Sequence, residues 1–73
     1  MGSIIDRIQE LAQDMGVFTT RQMAFRVYGN ATNTAISSTG GKLRTLERQG
    51  YLRKVGIIHD DGGNSMMTWE AVR

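Results

Sequence analysis

Three glycines constrain the fold of this chain more than any other feature. Gly16, Gly29 and Gly50 each follow a run whose apolar residues recur at helical spacing. Glycine enters the left-handed conformation that ends helices without steric cost. The chain up to Gly50 therefore reads as three helices in succession, and the segment beyond it reads differently.

The first run, residues 3–15, sets Ile4, Ile5, Ile8, Leu11, Ala12 and Met15 on one stripe. Ser3 is placed to cap it, with Asp6 completing a variant of the capping box. Val17 and Phe18 follow as a short extended piece. Thr19 opens a second helix through a T-x-x-Q box with Gln22, and Phe18 is placed to staple onto Met23. Met23, Ala24, Val27 and Tyr28 form its inward face. Phe25 points away from that face and is expected to tuck beneath a loop; left exposed, it would mark a contact surface.

Residues 29–33 have turn composition, and Asn33 or Thr34 is expected to cap a third helix. On a wheel of ~100° per residue, Ile36, Thr39, Gly40, Leu43, Leu46 and Glu47 share the inward side. Ser37, Ser38, Gly41, Arg44, Thr45, Arg48 and Gln49 share the outward side. Residues 51–58 and 65–72 are strand-like and flank a turn cluster at 60–64, which gives a β-hairpin. Symmetric pairing about that turn sets Val55 against Trp69 and Ile57 against Met67. With Ala71, these would give the helices an apolar face.

Gly40 and Gly41 lie inside the third helix, where each costs ~1 kcal/mol relative to alanine. "TGGK" is not a nucleotide-binding loop. That motif needs G-x-x-x-x-G-K-[ST], and here Ile36 and Leu43 occupy the first and last positions. A break near Gly41, with residues 35–39 as a separate turn, is one reading. We expect a continuous helix instead, because the same inward face persists on both sides of the pair. Gly40 would then admit a neighbouring helix, and Gly41 would clear the outward face for a ligand.

Seventy-three residues allow one core, hence a single domain over 1–73. The absence of cysteine excludes a disulfide and a thiolate zinc site. No run approaches the ~20 apolar residues of a membrane span, and no basic segment leads into an apolar one. The expected location is cytoplasmic, with no membrane partner. Charge is segregated: residues 1–18 sum to −2, residues 19–55 to +6 and residues 56–73 to −2. A basic middle between acidic ends attracts polyanions.

Helix, extended piece, helix, turn, basic helix and hairpin is the order of a winged helix-turn-helix domain. "KLRTLERQGYLRK", residues 42–54, resembles the end of a recognition helix and the first wing strand of bacterial and archaeal regulators. "FTTRQMAFRVYG" resembles the helix before it, and "MTWEAVR" the returning wing strand. The resemblance covers nearly the whole chain. It implies an α+β fold of three helices and a two-stranded C-terminal β-hairpin wing.

The implied function is sequence-specific binding of double-stranded DNA by a small transcriptional regulator, with the third helix in the major groove. Thr34, Ser37 and Ser38 would meet phosphates or base edges, beside Gly41 and Thr45 on the same face. Arg44 and Arg48 would read guanine or hold phosphate. Lys42 would touch backbone and Arg21 would clamp a phosphate. Of Arg53 and Lys54, which open the wing, one would reach DNA.

Three features depart from the pattern: a longer turn before the third helix, the Gly40-Gly41 pair, and Asp60 and Asp61 at the wing tip. A homodimer would double the contacts, using Phe25, Met66, Val72 or the helix ends. No cofactor, metal or small-molecule substrate is implied. Catalysis is not expected either, since the lone His59 beside Asp60 and Asp61 supplies no positioned nucleophile and base. The rival expectation is a winged helix that docks on protein, such as a viral or mobile-element product occupying a host factor.

Overall fold

A computed structural model describes residues 3–59, 62–63 and 65–72. Helix α1, Ile4–Met15, carries the full capping box. Ser3 Oγ accepts from the Asp6 N–H at 3.2 Å, and the Asp6 carboxylate accepts from the Ser3 N–H at 3.2 Å. Ile8 and Ala12 are fully buried, with Ile5, Leu11 and Met15 packed beside them. The chain turns at Gly16, with φ at 71°.

Strand β1, Phe18–Thr19, runs directly into helix α2, Thr20–Tyr28. Thr19 serves both elements. It pairs with Thr68 in the sheet, and it caps α2 by accepting from the Gln22 N–H at 3.0 Å. Gln22 Oε1 accepts in return from the Thr19 N–H at 2.8 Å. Phe18 and Met23 both lie in the core, on either side of this cap. Gly29 ends α2 in the left-handed conformation.

Helix α3, Asn33–Arg48, passes through Gly40 and Gly41 without interruption. Its cap is Thr32, rather than Asn33 or Thr34. Asn30 Oδ1 accepts from both the hydroxyl and the N–H of Thr32, holding Thr32 extended while its own Oγ1 accepts from the Ala35 N–H at 3.2 Å. The inward stripe of Thr39, Leu43 and Leu46 extends back one turn to Ala35. At the far end, Tyr51 N–H reaches Leu46 O at 2.9 Å and Gly50 N–H reaches Glu47 O at 3.0 Å. This is a Schellman closure.

Strands β2, Leu52–His59, and β3, Ser65–Ala71, form the hairpin. The sheet is three-stranded and antiparallel, in the order β1-β3-β2, rather than two-stranded. The third strand escaped the sequence reading because two residues are too short to show alternation.

Ile57 pairs with Met67 as expected, but a bulge between Lys54 and Gly56 sets Lys54, not Val55, opposite Trp69. The extra residue on β2 removes Val55 from the helix-facing side. Leu52 is consequently the one buried residue of β2, and the core is completed by Trp69 and Ala71 from β3. Phe25 is 60 % exposed rather than covered. Thr20, Met23, Ala24 and Val27 take the inward positions of α2 at i, i+3, i+4 and i+7, which leaves i+5 pointing out. Among the described residues, no helix is long and apolar enough to cross a membrane.

Candidate nucleic-acid interface

The outward face of α3 presents Ser37, Ser38, Gly41, Arg44 and Arg48 to solvent, with Thr34 exposed in its first turn. A Cβ built on Gly41 would meet nothing within 4 Å, so this position stands open. One built on Gly40 would lie 3.8 Å from Thr20 Cγ2 and 4.0 Å from Arg44 Nη2, which is ordinary contact. The expectation that Gly40 is needed for close helix approach is therefore corrected. A methyl group fits there, while a larger side chain would meet Thr20 and the guanidinium of Arg44. That guanidinium folds back along its own helix, over Gly40.

A groove of about 370 Å³ separates α3 from the hairpin, with the start of α2 at its border. Ser37 and Arg44 line it from α3, Lys54 from β2, Met66 and Trp69 from β3, and Thr20 from α2. An arginine and a lysine thus line the same groove as an apolar surface, a composition suited to an anionic ligand with flat or methylated parts. Arg21 adjoins the groove, because its backbone N–H donates to Met66 Sδ at 3.4 Å. A thioether so takes up one of the free donors at the start of α2.

The remaining sequence-selected residues fall elsewhere. Arg53 points away from the groove, and its Nε and Nη2 both donate to Glu70 Oε1, its cross-strand neighbour. Lys54 has a looser partner, with Nζ 3.6 Å from Glu47 Oε1. The two cations that open β2 are thereby separated, one into the groove and one against Glu70. Thr45 is half-buried and donates its hydroxyl to Gly41 O at 3.1 Å, which commits its proton to the helix backbone. Lys42 is also half-buried, and Arg48 stands one turn beyond Arg44, outside the groove.

Sequence reading missed Thr20, Met66 and Trp69 as groove residues. Trp69 reads as a core-facing strand residue, Met66 as a candidate dimer contact and Thr20 has no role of its own, and nothing local marks a wall built from segments more than 40 residues apart. His59 Nδ1 lies 3.0 Å from the hydroxyl of its cross-strand partner Ser65. Asp60 and Asp61 lie outside the described residues, and so do the expectations placed on them. No family model matches the chain, and no curated protein or solved structure matches it.

Proposed function

We propose that this chain binds double-stranded DNA as a winged helix-turn-helix regulator, laying α3 in the major groove with β2 and β3 as its wing. The observation that carries the reading is the outward face of α3, where two serines, a bare glycine and two arginines are exposed along one unbroken helix. A B-DNA major groove ~12 Å wide admits such a helix. The glycine removes side-chain bulk where the duplex would come closest.

In this reading Thr34, Ser37 and Ser38 reach phosphates or base edges near the start of α3, where the helix dipole favours an anion. Arg44 and Arg48 read guanine or hold phosphate one turn apart. Arg21 and Lys54 flank them and position the backbone, while Arg53 is occupied by Glu70. Thr45 contributes through its acceptor lone pairs, and Lys42 lies at the margin.

The test is affinity for random duplex DNA across a salt series. Each phosphate held by a cation contributes a slope of ~−0.9 in log K against log salt. Contacts from Arg21, Arg44, Arg48 and Lys54 therefore give a slope of roughly −3 to −4. A chain that ignores duplex DNA even at low salt is not a DNA binder. That result would favour docking on protein, a role suited to the exposed Phe25 beside Val17 and the shallow depression of about 450 Å³ they border.

A further inference from the structure

The outer edge of β2 has an unusual character for a chain that acts alone. The strand order leaves β2 with β3 on one side and no described strand on the other. Its outward N–H and C=O groups form an open ladder over eight residues. Soluble proteins blunt such edges with charges, bulges or proline. The first half of β2 does so, with Arg53, Lys54 and the bulge before Gly56. The second half, Gly56-Ile57-Ile58-His59, has no lysine, arginine or proline.

Apolar exposure concentrates at the same place. Val55 is 49 % exposed, Ile57 58 % and Ile58 49 %. Consecutive strand residues point to opposite faces, so Ile57 and Ile58 make the edge apolar on both sides of the sheet. A helix docked on one face, or a flat lipid surface, covers only one of them. An added strand flanks both, because its own side chains alternate in step.

We propose that β2 pairs antiparallel with β2 of a second copy of this chain, joining two three-stranded sheets into one of six. Charge selects the self-pairing and its direction. Parallel pairing in register would stack Arg53 on Arg53 and Lys54 on Lys54, which is repulsive. Antiparallel pairing moves these cations to opposite ends of the new ladder. Each set then lies toward the end of the other strand, beyond which residues 60–64 carry two aspartates and no cation in the sequence.

A two-fold axis at Ile57 sets that side chain against its own counterpart and Ile58 against Gly56 of the second copy. A Cβ at Gly56 would meet nothing within 4 Å in one copy, so the approach is open. The axis stands perpendicular to the sheet, which keeps the helices of both copies on the same side. This pairing does not depend on DNA binding; where that reading also holds, the dimer offers two α3 helices to two half-sites.

Sedimentation equilibrium of the full chain without DNA tests the proposal. The expected result is a rise with concentration from the chain mass of 8.1 kDa to twice that value. Ile57→Lys and Ile58→Lys should each weaken association at least about tenfold, the effect of burying an unpaired charge. Both positions are half-exposed, and circular dichroism verifies that the variants fold. Ile58→Thr, which keeps strand propensity, should give a smaller loss.

Because the sequence contains no cysteine, one introduced thiol reports directly on the register. Opposed Cα atoms lie ~4.5–5.5 Å apart, within reach of a disulfide. Ile57→Cys should give a covalent dimer under mild oxidation, and Lys54→Cys should not. A monomeric mass up to about 1 mM, or equal cross-linking of the two cysteine variants, would overturn the proposal. Either result leaves the salt-dependent binding of DNA by single copies untouched.

Discussion

The indole Nε1 of Trp69 donates to Thr20 Oγ1 at 3.0 Å, inside the fold. This bond joins the central strand to the first turn of α2. The methyl group of the same threonine lies against α3 at Gly40. Thr20 thus joins β3 by a hydrogen bond and approaches α3 with its methyl group, at the border of the groove. Phe18 and Thr19, immediately before it, supply a core ring and the cap of α2. Three consecutive residues therefore tie the start of α2 to the central strand and the core.

Thr20→Val keeps the shape of that side chain and removes the acceptor. The indole N–H is then buried without a partner, which costs about 1–3 kcal/mol. Urea denaturation measures the loss. In a double-mutant cycle with Trp69→Phe, which deletes the donor, the two changes should be clearly less than additive. Strict additivity would mean that the bond contributes nothing.

Thr39 presents the opposite case. It is completely buried on the inward face of α3, and its hydroxyl has no hydrogen-bond partner among the described residues. Thr39→Val should leave stability unchanged or raise it by up to about 1 kcal/mol, since an unsatisfied hydroxyl is replaced by a methyl group. A loss above about 1 kcal/mol in thermal or urea unfolding would show that the hydroxyl is satisfied in solution.

Gly41→Ala separates stability from binding. The position is helical and open, so alanine should stabilise the chain by ~1 kcal/mol. If the bare backbone serves close approach by DNA, the same change should weaken duplex binding while the melting temperature rises. Unaltered affinity in the stabilised variant would remove Gly41 from the interface.

Arg44→Ala and Arg53→Ala should differ sharply although both lose one positive charge. Arg44 lines the groove, and its removal should cost about 1–3 kcal/mol of specific binding and relax base preference at one position. Arg53 is engaged by Glu70 on the exposed hairpin surface, so its removal should change duplex affinity little. It should also destabilise the fold by no more than ~1 kcal/mol. Comparable binding losses in the two variants would contradict this division.

Much of the helical architecture was legible because its determinants are local. The Ser3–Asp6 and Thr19–Gln22 boxes each reach only three residues, and Gly16, Gly29 and Gly50 adopt positive φ as their positions suggested. The outward face of α3 was likewise readable from periodicity alone. Even here a competing local bond decided one detail. Asn30 fixes Thr32, and this moved the cap of α3 ahead of Asn33.

The sheet and the groove were less legible, because long-range pairing decides them. Pairing of Phe18 with Trp69 spans most of the chain, and two residues carry no strand pattern of their own. The bulge at Lys54 and Gly56 shifts register by one residue, which reverses the facing of Val55 and sends Lys54 into the groove. Which of Arg53 and Lys54 stays available depends on Glu70 and Glu47, from a different strand and a helix. The sequence by itself determined the caps of α1 and α2, the stops of all three helices and which way α3 turns its arginines, since those follow from contacts within one or two turns. Only the tertiary structure decided the third strand, the exposure of Phe25 and the division of the hairpin cations, since each is settled by which distant surfaces meet.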